Sequence, residues 1–433
     1  MNICLTAPDR TVGCQKNEKM KQKQNKQIKK QNIMKKYMIV AAAAALCLAS
    51  CAKVENYTVN TKEDAVIGFT TYSPKSISKA SSANYAASTN LIHGAQFAVY
   101  GWSNPNETPF AGTGTQFMNW YTVTYQKDDA NNKNGSTVGS DNLYPDGYRY
   151  WPSGDTPDKL SFYAYYPSNA ASGTFTSVPT GFGAFGFTAA TAAADMVDFM
   201  VADVVKDQVY ETYNGTVPLT FRHMLTKVQF RFKHDSDLDN KTKITLLDAK
   251  LGNILKTGTL TTSYIANPGE NETNVSAIWS GQSTTQAYEI FVNGVNIEEN
   301  GSTQELTASA FPANEVPGDT FLMVPQNMVT PAYNDNVLSN SPQYLTIKWK
   351  VETFATSEKT GTALSSTVNT KTLYFDTDLK TTDGSTTPSA LNLDWAKNNS
   401  IVYTITIGPK KILFTGSAAA WDTPETNGYF NVN

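Results

Sequence analysis

Residues able to support catalysis or metal binding are sparse in this sequence. Its three histidines, His93, His223 and His234, stand apart, and no HExxH, CxxC or paired-histidine spacing indicates a zinc site. His223 adjoins the strand-like stretch LTFRHMLTKVQF, where a single histidine is more often a hydrogen-bonded structural residue than a catalyst. No GxSxG elbow offers a nucleophile, and GTGTQF at residues 112–117 lacks the ending of a phosphate-binding loop.

Carboxylates provide two further candidates for a site. Asp195, Asp198 and Asp203 could contain an acid–base pair, and the DDANNKNGS stretch at residues 128–136 could present oxygens to calcium. The second candidate lacks the closing glutamate of an EF-hand, and Asn/Asp-rich tips are common in hairpins. Nothing in the spacing of the three aspartates separates an acid and a base from solvated charges. We therefore expect no enzymatic activity, no metal and no cofactor.

One cysteine, Cys51, has a context that predicts a covalent modification. Lys35 and Lys36 precede an apolar run at residues 37–48 that is too short to span a membrane, which is the layout of a secretion signal. The following Leu-Ala-Ser-Cys resembles the lipobox of bacterial lipoproteins. That resemblance implies cleavage before Cys51, lipidation of Cys51 and attachment to a membrane through the acyl chains. An uncleaved signal anchor is the alternative.

Residues 1–50 are accordingly predicted to be a leader. Residues 1–33 are polar and lysine-rich without apolar periodicity, and Met34 stands where a signal peptide normally begins, so we expect the true start at Met34. Cys4, Cys14 and Cys47 leave with the leader, and the exported fold is expected to contain no disulfide.

The charge of the exported part argues against one class of partner. Residues 51–433 hold 25 basic and 36 acidic side chains, which gives a net charge of about −11. The only arginines in this part are Arg149, Arg222 and Arg231. Because lysine and arginine supply most contacts to phosphate, we expect no binding to nucleic acid.

Period-two alternation dominates the exported sequence. LTIKWKV places Leu345, Ile347 and Trp349 on one face, and KVQFRFK and IVYTITI follow the same pattern. Such alternation predicts antiparallel sheets with one buried and one wet face. FTAATAAADMVDFMVADVV at residues 187–205 is the best helix candidate, although its second half is equally typical of a strand. The pattern predicts an all-β protein with two β-sandwich domains in series.

The predicted domain limits follow the turn-rich stretches. Residues 51–63 form a polar linker, residues 64–215 the N-terminal β-sandwich and residues 216–433 the C-terminal β-sandwich. We place the boundary between the sandwiches within the stretch YETYNGTVP at residues 210–218.

Several short motifs, taken in order, resemble one protein family. They are VIGF, FAVYGW, YRYWPSGDTPDKLSFYAYYP, DFMVAD, LTFRHMLTKVQF and the tryptophan of AAAWDTPETNGYF. Together they resemble the fimbrillin family of Bacteroidales lipoproteins. The resemblance implies two tandem transthyretin-like antiparallel β-sandwich domains and a pilus subunit or pilus-associated adhesin without enzymatic activity. It also implies a surface-exposed location on the outer membrane and in the fimbrium.

The same resemblance implies a mode of assembly. A protease removes the N-terminal segment, usually after an arginine, and a strand from the next subunit fills the groove that this opens, so that subunits polymerise head to tail. The sequence departs from this pattern because no arginine lies between Cys51 and Arg149. Either Lys75 or Lys79 is the maturation site, or the protein keeps its lipid and acts as an anchor or accessory subunit.

Two further alternatives concern the donated strand and the partner. In the terminal GYFNVN, Phe430 and Val432 alternate with asparagines, as in a donated strand or in the last strand of a domain. The tyrosines and tryptophans of the YRYWP region suggest a rival function, a glycan-binding lipoprotein of the outer-membrane surface. Expected partners are therefore other pilus subunits, the outer membrane through the lipid, and host or bacterial surface receptors or glycans.

Overall fold

Strands form nearly all regular structure in the computed structural model, which confirms the predicted all-β class. The model describes residues 66–72, 96–124, 149–168, 174–213, 215–269, 272–293, 295–297, 301–311, 320–375, 395–409, 412–420 and 430–432. The first strands are β1 (Gly68–Tyr72), β2 (Gln96–Asn104), β3 (Thr115–Thr124), β4 (Lys159–Tyr166), β5 (Phe175–Ser177), β6 (Ala184–Thr188), β7 (Met200–Ala202), β8 (Val205–Gln208) and β9 (Thr216–His223). A 3-10 turn (Ala193–Asp195) and the one-turn helix α1 (Tyr210–Tyr213) interrupt them.

The remaining strands follow β9 along the chain. They are β10 (Thr226–His234), β11 (Thr242–Tyr264), β12 (Val275–Glu289), β13 (Phe291–Val292), β14 (Val295–Asn296), β15 (Gln304–Glu305), β16 (Thr320–Met323), β17 (Tyr333–Asn334), β18 (Val337–Leu338), β19 (Tyr344–Thr353), β20 (Ser365–Tyr374), β21 (Asn399–Ile407), β22 (Ile412–Ala420) and β23 (Phe430–Val432).

The N-terminal sheet has the strand order β1-β9-β7-β4-β2-β3, with β8 also paired to β4. Its pairs are antiparallel except for β1 and β9, which run parallel. Both β2 and β4 are buried along nearly their whole length rather than at alternate residues. Both faces of this sheet are therefore covered, which explains why FAVYGW and LSFYAYY lack a polar face.

The bridging sheet has the order β20-β19-β11-β6-β5, with β12 and β15 also paired to β11. Its central strand, β11, spans 23 residues and changes partner along its length. Residues 242–252 pair with β19, whereas residues 257–261 pair with β6. One strand thereby joins the first half of the chain to the second.

The C-terminal sheet has the order β16-β10-β21-β22-β23. In it, β10 and β21 run parallel through eight paired positions, from Lys227 opposite Ser400 to His234 opposite Ile407. The other pairs of this sheet are antiparallel.

Apolar side chains form two clusters. The smaller cluster covers one face of the N-terminal sheet and includes Phe97 and Phe162. The larger cluster joins the opposite face of that sheet to the bridging and C-terminal sheets. Contacts of the rings of Tyr165 with Phe185 (5.2 Å) and of Tyr288 with Phe321 (5.9 Å) mark the two junctions. All described residues fall within one compact unit, Lys62–Asn433.

Strand pairing crosses the predicted limit between residues 215 and 216 in both directions. The strand β9, assigned to the C-terminal sandwich, pairs with β1 and β7, and β6 pairs with β11. Local turn signals mark where the chain bends, but the partner of a strand is chosen by long-range packing. The limits of the domains and their transthyretin-like character stay predictions.

Three local expectations are refined by the structure. In β19, alternate residues are buried as predicted, but the expected wet face of β10 is largely covered, with Lys227 and Gln229 buried. In β21 both faces are also mainly buried. Residues 187–205 contain the end of β6, the 3-10 turn and β7 rather than a long helix, so the strand interpretation of their second half is correct.

Candidate functional site

The first described segment of the chain fills a slot at the edge of the N-terminal sheet. On one side, the Ile67 N–H donates a hydrogen bond of 2.8 Å to the Arg149 carbonyl. On the other side, β1 pairs in parallel with β9, and Gly68 lies opposite Thr216. We call this position, between β9 and residues 149–150, the β1 slot.

Apolar side chains anchor β1 in this slot. Ile67 and Phe69 are fully buried, whereas Thr70 is partly exposed. The Phe69 ring meets the rings of Phe162 and Phe97 edge-on, with centroids 5.4 and 6.4 Å apart. Period-two alternation thus places the apolar residues of β1 in the smaller core, where burial of a phenylalanine contributes about 2–3 kcal/mol.

A single backbone carbonyl joins three parts of the slot. The Gly215 carbonyl accepts hydrogen bonds from the Gly68 N–H (2.9 Å) and from the Trp151 indole N–H (3.2 Å). Gly215 has φ of +86°, and a Cβ there would lie 3.0 Å from the Tyr210 ring. Only glycine meets both conditions without strain, so the turn between α1 and β9 depends on this residue.

Backbone pairing of β1 with β9 is weak by comparison. The pairing covers five residues and is parallel, which is slightly less stable per residue than antiparallel pairing. Pro218 of β9 lies in register with Thr70 and has no N–H to donate. Proline is largely confined to edge strands, so β9 has the composition of a strand that can lose a neighbour.

The predicted modification sites lie beside the slot in sequence but outside the described residues. Cys51, Lys75 and Lys79 all belong to this group. The last residue of β1, Tyr72, precedes Lys75 by three residues. A cut after either lysine would therefore separate β1 from the rest of the chain.

The predicted donor residues Phe430 and Val432 lie in β23, at an edge of the C-terminal sheet. Val432 is opposite Phe414, and Phe430 is opposite Gly416, in an antiparallel pair with β22. The structure thus places the two residues in the last strand of their own sheet, and it does not bring them to the β1 slot.

Arg149 has a structural role beside the slot. Its guanidinium lies 4.2 Å from the centre of the Tyr121 ring, a cation–π contact, while its carbonyl accepts the hydrogen bond from Ile67. Both contacts hold residues 149–150 in place as one wall of the slot.

The three candidate aspartates have three different surroundings. Asp198 and His223 are both fully buried, with Asp198 Oδ2 2.8 Å from His223 Nδ1. Asp203 accepts bonds from both Nε and Nη2 of Arg222, and Asp195 is exposed. Asp203 thus forms an ion pair with Arg222, and Asp198 contacts the buried ring of His223, so both carboxylates have a structural partner.

Tyr166 and His234 also have structural surroundings rather than those of a catalytic site. Burial, reinforced by the nearby Asp198, raises the pKa of Tyr166 to about 12. His234 Nδ1 lies 2.7 Å from the Asp235 carbonyl, whereas His93 and residues 128–136 lie outside the described residues. Within the described ranges, no three His, Cys, Asp or Glu side chains come close enough to hold a metal ion.

The aromatic cluster considered as a glycan platform is mainly core. Trp151, Phe162, Tyr163 and Tyr165 are at most 4% exposed. Tyr150, at 47%, is the exposed ring of this cluster in the part of the chain that the structure describes. A stacking platform needs adjacent open rings, whereas these four rings are packed inside the two apolar clusters.

Sequence inspection missed the parts of the slot that come from distant segments. VIGF was noted as a motif, but nothing local to it indicates pairing with residues 149–150 or with β9. Two signals of the slot are visible in the stretch NGTVP. They are Gly215, which precedes β9, and Pro218, which lies inside β9. Both are residues whose backbone requirements are unusual inside a sheet.

Comparison with known proteins identifies the family of this chain. A family model described as fimbrillin-like matches residues 83–421, most of the chain. The chain belongs to the fimbrillin-like family. This membership confirms the resemblance found in the sequence and indicates a cell-surface fimbrial protein of a structural, non-enzymatic class.

Solved structures of low sequence identity are similar to this fimbrillin-like chain. A fimbrial protein from Bacteroides vulgatus is 18% identical, with 82% of this chain and 99% of that chain covered and a TM-score of 0.48. A putative cell adhesion protein from Bacteroides uniformis is 14% identical, with 82% and 98% covered and a TM-score of 0.41. The tip fimbrial protein Mfa3 from Porphyromonas gingivalis is 10% identical, with 76% and 95% covered and a TM-score of 0.31.

No curated protein is similar to this chain. In the described ranges, none of the helices has the length and apolar character needed to cross a membrane.

Proposed function

We propose that this fimbrillin-like protein is a pilus subunit or pilus-associated adhesin in which β1 is exchanged for a strand of a neighbouring subunit. The observation that carries the proposal is the β1 slot: Phe69 is fully buried, yet β1 is held to β9 by only five parallel positions. Loss of β1 would leave an apolar groove and one unpaired edge of β9, and an incoming strand would fill the groove and pair with that edge.

Release of β1 would follow proteolysis after Lys75 or Lys79. Both lysines come shortly after the last residue of β1, so either cut leaves β1 attached through non-covalent contacts alone. An antiparallel donor would then gain the more stable pairing geometry along β9. Release and replacement of one strand thus require no rearrangement of β2, β4 or β7.

The donor would be an alternating strand such as Phe430–Val432 of the next subunit. This strand forms only three paired positions with β22, at an edge of its sheet, and little pairing is lost when it leaves. Because donor and slot are different surfaces, the contact is head-to-tail and yields a filament rather than a closed ring. Lipidation at Cys51 would carry the precursor to the outer membrane before cleavage.

A reversible covalent lock on β1 tests the proposal. Thr70 and Pro218 lie opposite each other on β1 and β9, and the chain after Cys51 contains no native cysteine. We expect the T70C/P218C variant, once cleaved after Lys75 or Lys79, to give detergent-resistant multimers only after reduction of the disulfide. The two single-cysteine variants are the matched controls and should multimerise in both conditions.

Multimers of the oxidised double variant at the level of the controls would contradict strand exchange at this slot. Non-reducing peptide mapping checks that the disulfide has formed.

A further inference from the structure

One sheet edge in this protein lacks the features that prevent strands from pairing between molecules. The strand β20 lies at the end of the bridging sheet and pairs with β19 through ten consecutive positions, from Tyr374 opposite Tyr344 to Ser365 opposite Thr353, without any shift of register. Such a long and regular edge is a template for a further strand.

The other edges of the three large sheets, within the described residues, are short or irregular. The strands β1, β5, β16 and β23 have five residues or fewer. Pairing of β3 with β2 and of β12 with β11 is broken by register shifts, and Trp120 and Gly281 have positive φ there. Bulges and short edges block association between molecules, so β20 is the unprotected exception.

The side chains of β20 are also unusually open. Seven of the eight residues from Ser365 to Thr372 are exposed, on both faces of the strand. Val368 is 52% exposed, and Leu364, which directly precedes the strand, is 71% exposed. Proline is absent from β20, and its single charged residue is Lys371. Charged residues and proline, which usually prevent an edge strand from pairing with another molecule, are thus almost absent from β20.

We propose that β20 pairs in antiparallel fashion with β20 of a second copy of this chain. A two-fold axis through Val368 places this residue opposite itself and Ser366 opposite Thr370. In the same register Lys371 faces Ser365 rather than another lysine, so no like charges oppose each other. The strand is therefore complementary to itself, which favours a second copy over an unrelated partner.

The contact would be lateral and weak between free molecules. A single pair of strands buries less surface than the roughly 1,600 Å² of a standard protein interface. Copies arrayed along two filaments repeat the contact many times, and multivalency then converts weak pairs into a stable association. The contact lies on the bridging sheet, whereas the β1 slot lies on the N-terminal sheet, so the two can be tested separately.

Single-cysteine cross-linking tests the pairing and its register. In the full chain carrying C4S, C14S, C47S and C51S, we expect V368C to form disulfide-linked dimers under mild oxidation. The matched control is V337C, at another exposed valine (69%) outside the large sheets. Pairing raises the local concentration of the second thiol, so the dimer yield of V368C should exceed that of V337C by about tenfold.

The register gives a second and independent readout. Mixing S366C with T370C should yield heterodimers well above the homodimers of either variant, because these positions face each other only across an antiparallel pair centred on Val368. Equal yields for V368C and V337C, or equal homodimers and heterodimers in the mixture, would overturn the proposal. Circular dichroism of each variant verifies that the fold is retained.

Discussion

Phe69 is the side chain through which β1 is most firmly held. It is fully buried, and its ring meets Phe97 and Phe162 in edge-to-face geometry. Thr70, the next residue, is only half-buried. Truncation of Phe69 should therefore leave a cavity in the smaller core, whereas truncation of Thr70 should not.

We predict that F69A lowers the free energy of unfolding of the uncleaved chain by about 3–5 kcal/mol, the usual cost of removing a buried phenylalanine ring. The matched variant T70A should change it by no more than about 0.5 kcal/mol. Urea unfolding followed by fluorescence measures both values. Similar losses in the two variants would show that β1 is not anchored through its apolar face.

Tyr166 predicts a loss of stability at alkaline pH. Burial and the nearby Asp198 raise the pKa of its phenol to about 12, above the value of about 10 in the unfolded chain. Between these pH values the folded chain holds a proton that the unfolded chain has lost. The contribution of Tyr166 to the free energy of unfolding should thus be constant below pH 10 and fall by about 1.4 kcal/mol per pH unit between pH 10 and pH 12, in addition to the contributions of other buried tyrosines.

Y166F should remove this part of the pH dependence, and Y333F, which alters an exposed tyrosine, should not. Denaturant unfolding at several alkaline pH values distinguishes them. An unchanged slope in Y166F would refute the assignment.

At the level of single residues, the sequence predicted the structural role of His223 but not its partner. The expectation that His223 is structural agrees with its buried contact to Asp198. Its partner could not be read from spacing, because residues 198 and 223 meet only through the pairing of β7 with β9.

Among the elements, β1 depends on the turn that precedes β9. Gly215 holds a positive φ, lies against Tyr210 and accepts hydrogen bonds from β1 and Trp151. Gly154 also has a positive φ, of +114°, but no atom lies within 4 Å of its Cβ position. Substitution of Gly154 tests the effect of backbone strain alone, whereas substitution of Gly215 tests strain together with contact to the slot.

We predict that G215A increases hydrogen exchange in β1, because the strained turn moves the carbonyl that binds Gly68. The cost of a non-glycine residue at such a φ is about 1–3 kcal/mol. G154A carries comparable backbone strain but should leave exchange in β1 unchanged. Hydrogen exchange of the peptide containing residues 67–72, measured by mass spectrometry, distinguishes the two variants. Equal protection of this peptide in G215A and G154A would contradict the role of Gly215.

Strand identity was largely predictable, whereas strand pairing was not. Alternation in LTIKWKV, KVQFRFK and IVYTITI predicted β19, β10 and β21, although only β19 shows the alternating burial that period two implies. The buried Lys227 of β10 could not be predicted, since its burial depends on strands and segments distant in sequence. The same reason hid the β1 slot, whose walls come from β9 and residues 149–150.

For the molecule as a whole, the long strand β11 joins the two halves of the chain. Residues 242–252 pair with β19 of the second half, and residues 257–261 pair with β6 of the first half. In addition, β9 comes after the predicted boundary but completes the N-terminal sheet. No cut near residue 215 leaves each fragment with its own strands.

We therefore predict that fragments 62–215 and 216–433 do not fold separately, whereas the intact chain unfolds in one cooperative transition. Leu260, which lies opposite Phe185, would be exposed in the second fragment. Calorimetry of the chain and near-ultraviolet circular dichroism of the fragments provide the check. Two independent transitions, each reproduced by one fragment, would contradict this prediction and support two autonomous domains.

Global class and family were accessible from the sequence because they depend on pattern and motif order. The pairing of β9 with β7 and of β6 with β11 was not, because it depends on contacts between residues distant in sequence.

The most direct test of strand exchange is the N-terminus of the chain in native filaments. Intact mass and N-terminal peptide mapping should be measured on sheared surface filaments and, as the comparison, on outer membranes. We predict that filament-associated chains begin just after Lys75 or Lys79 and lack residues 68–72, while the membrane fraction retains a precursor with lipid on Cys51. Filament chains that keep β1 would contradict the exchange of this strand.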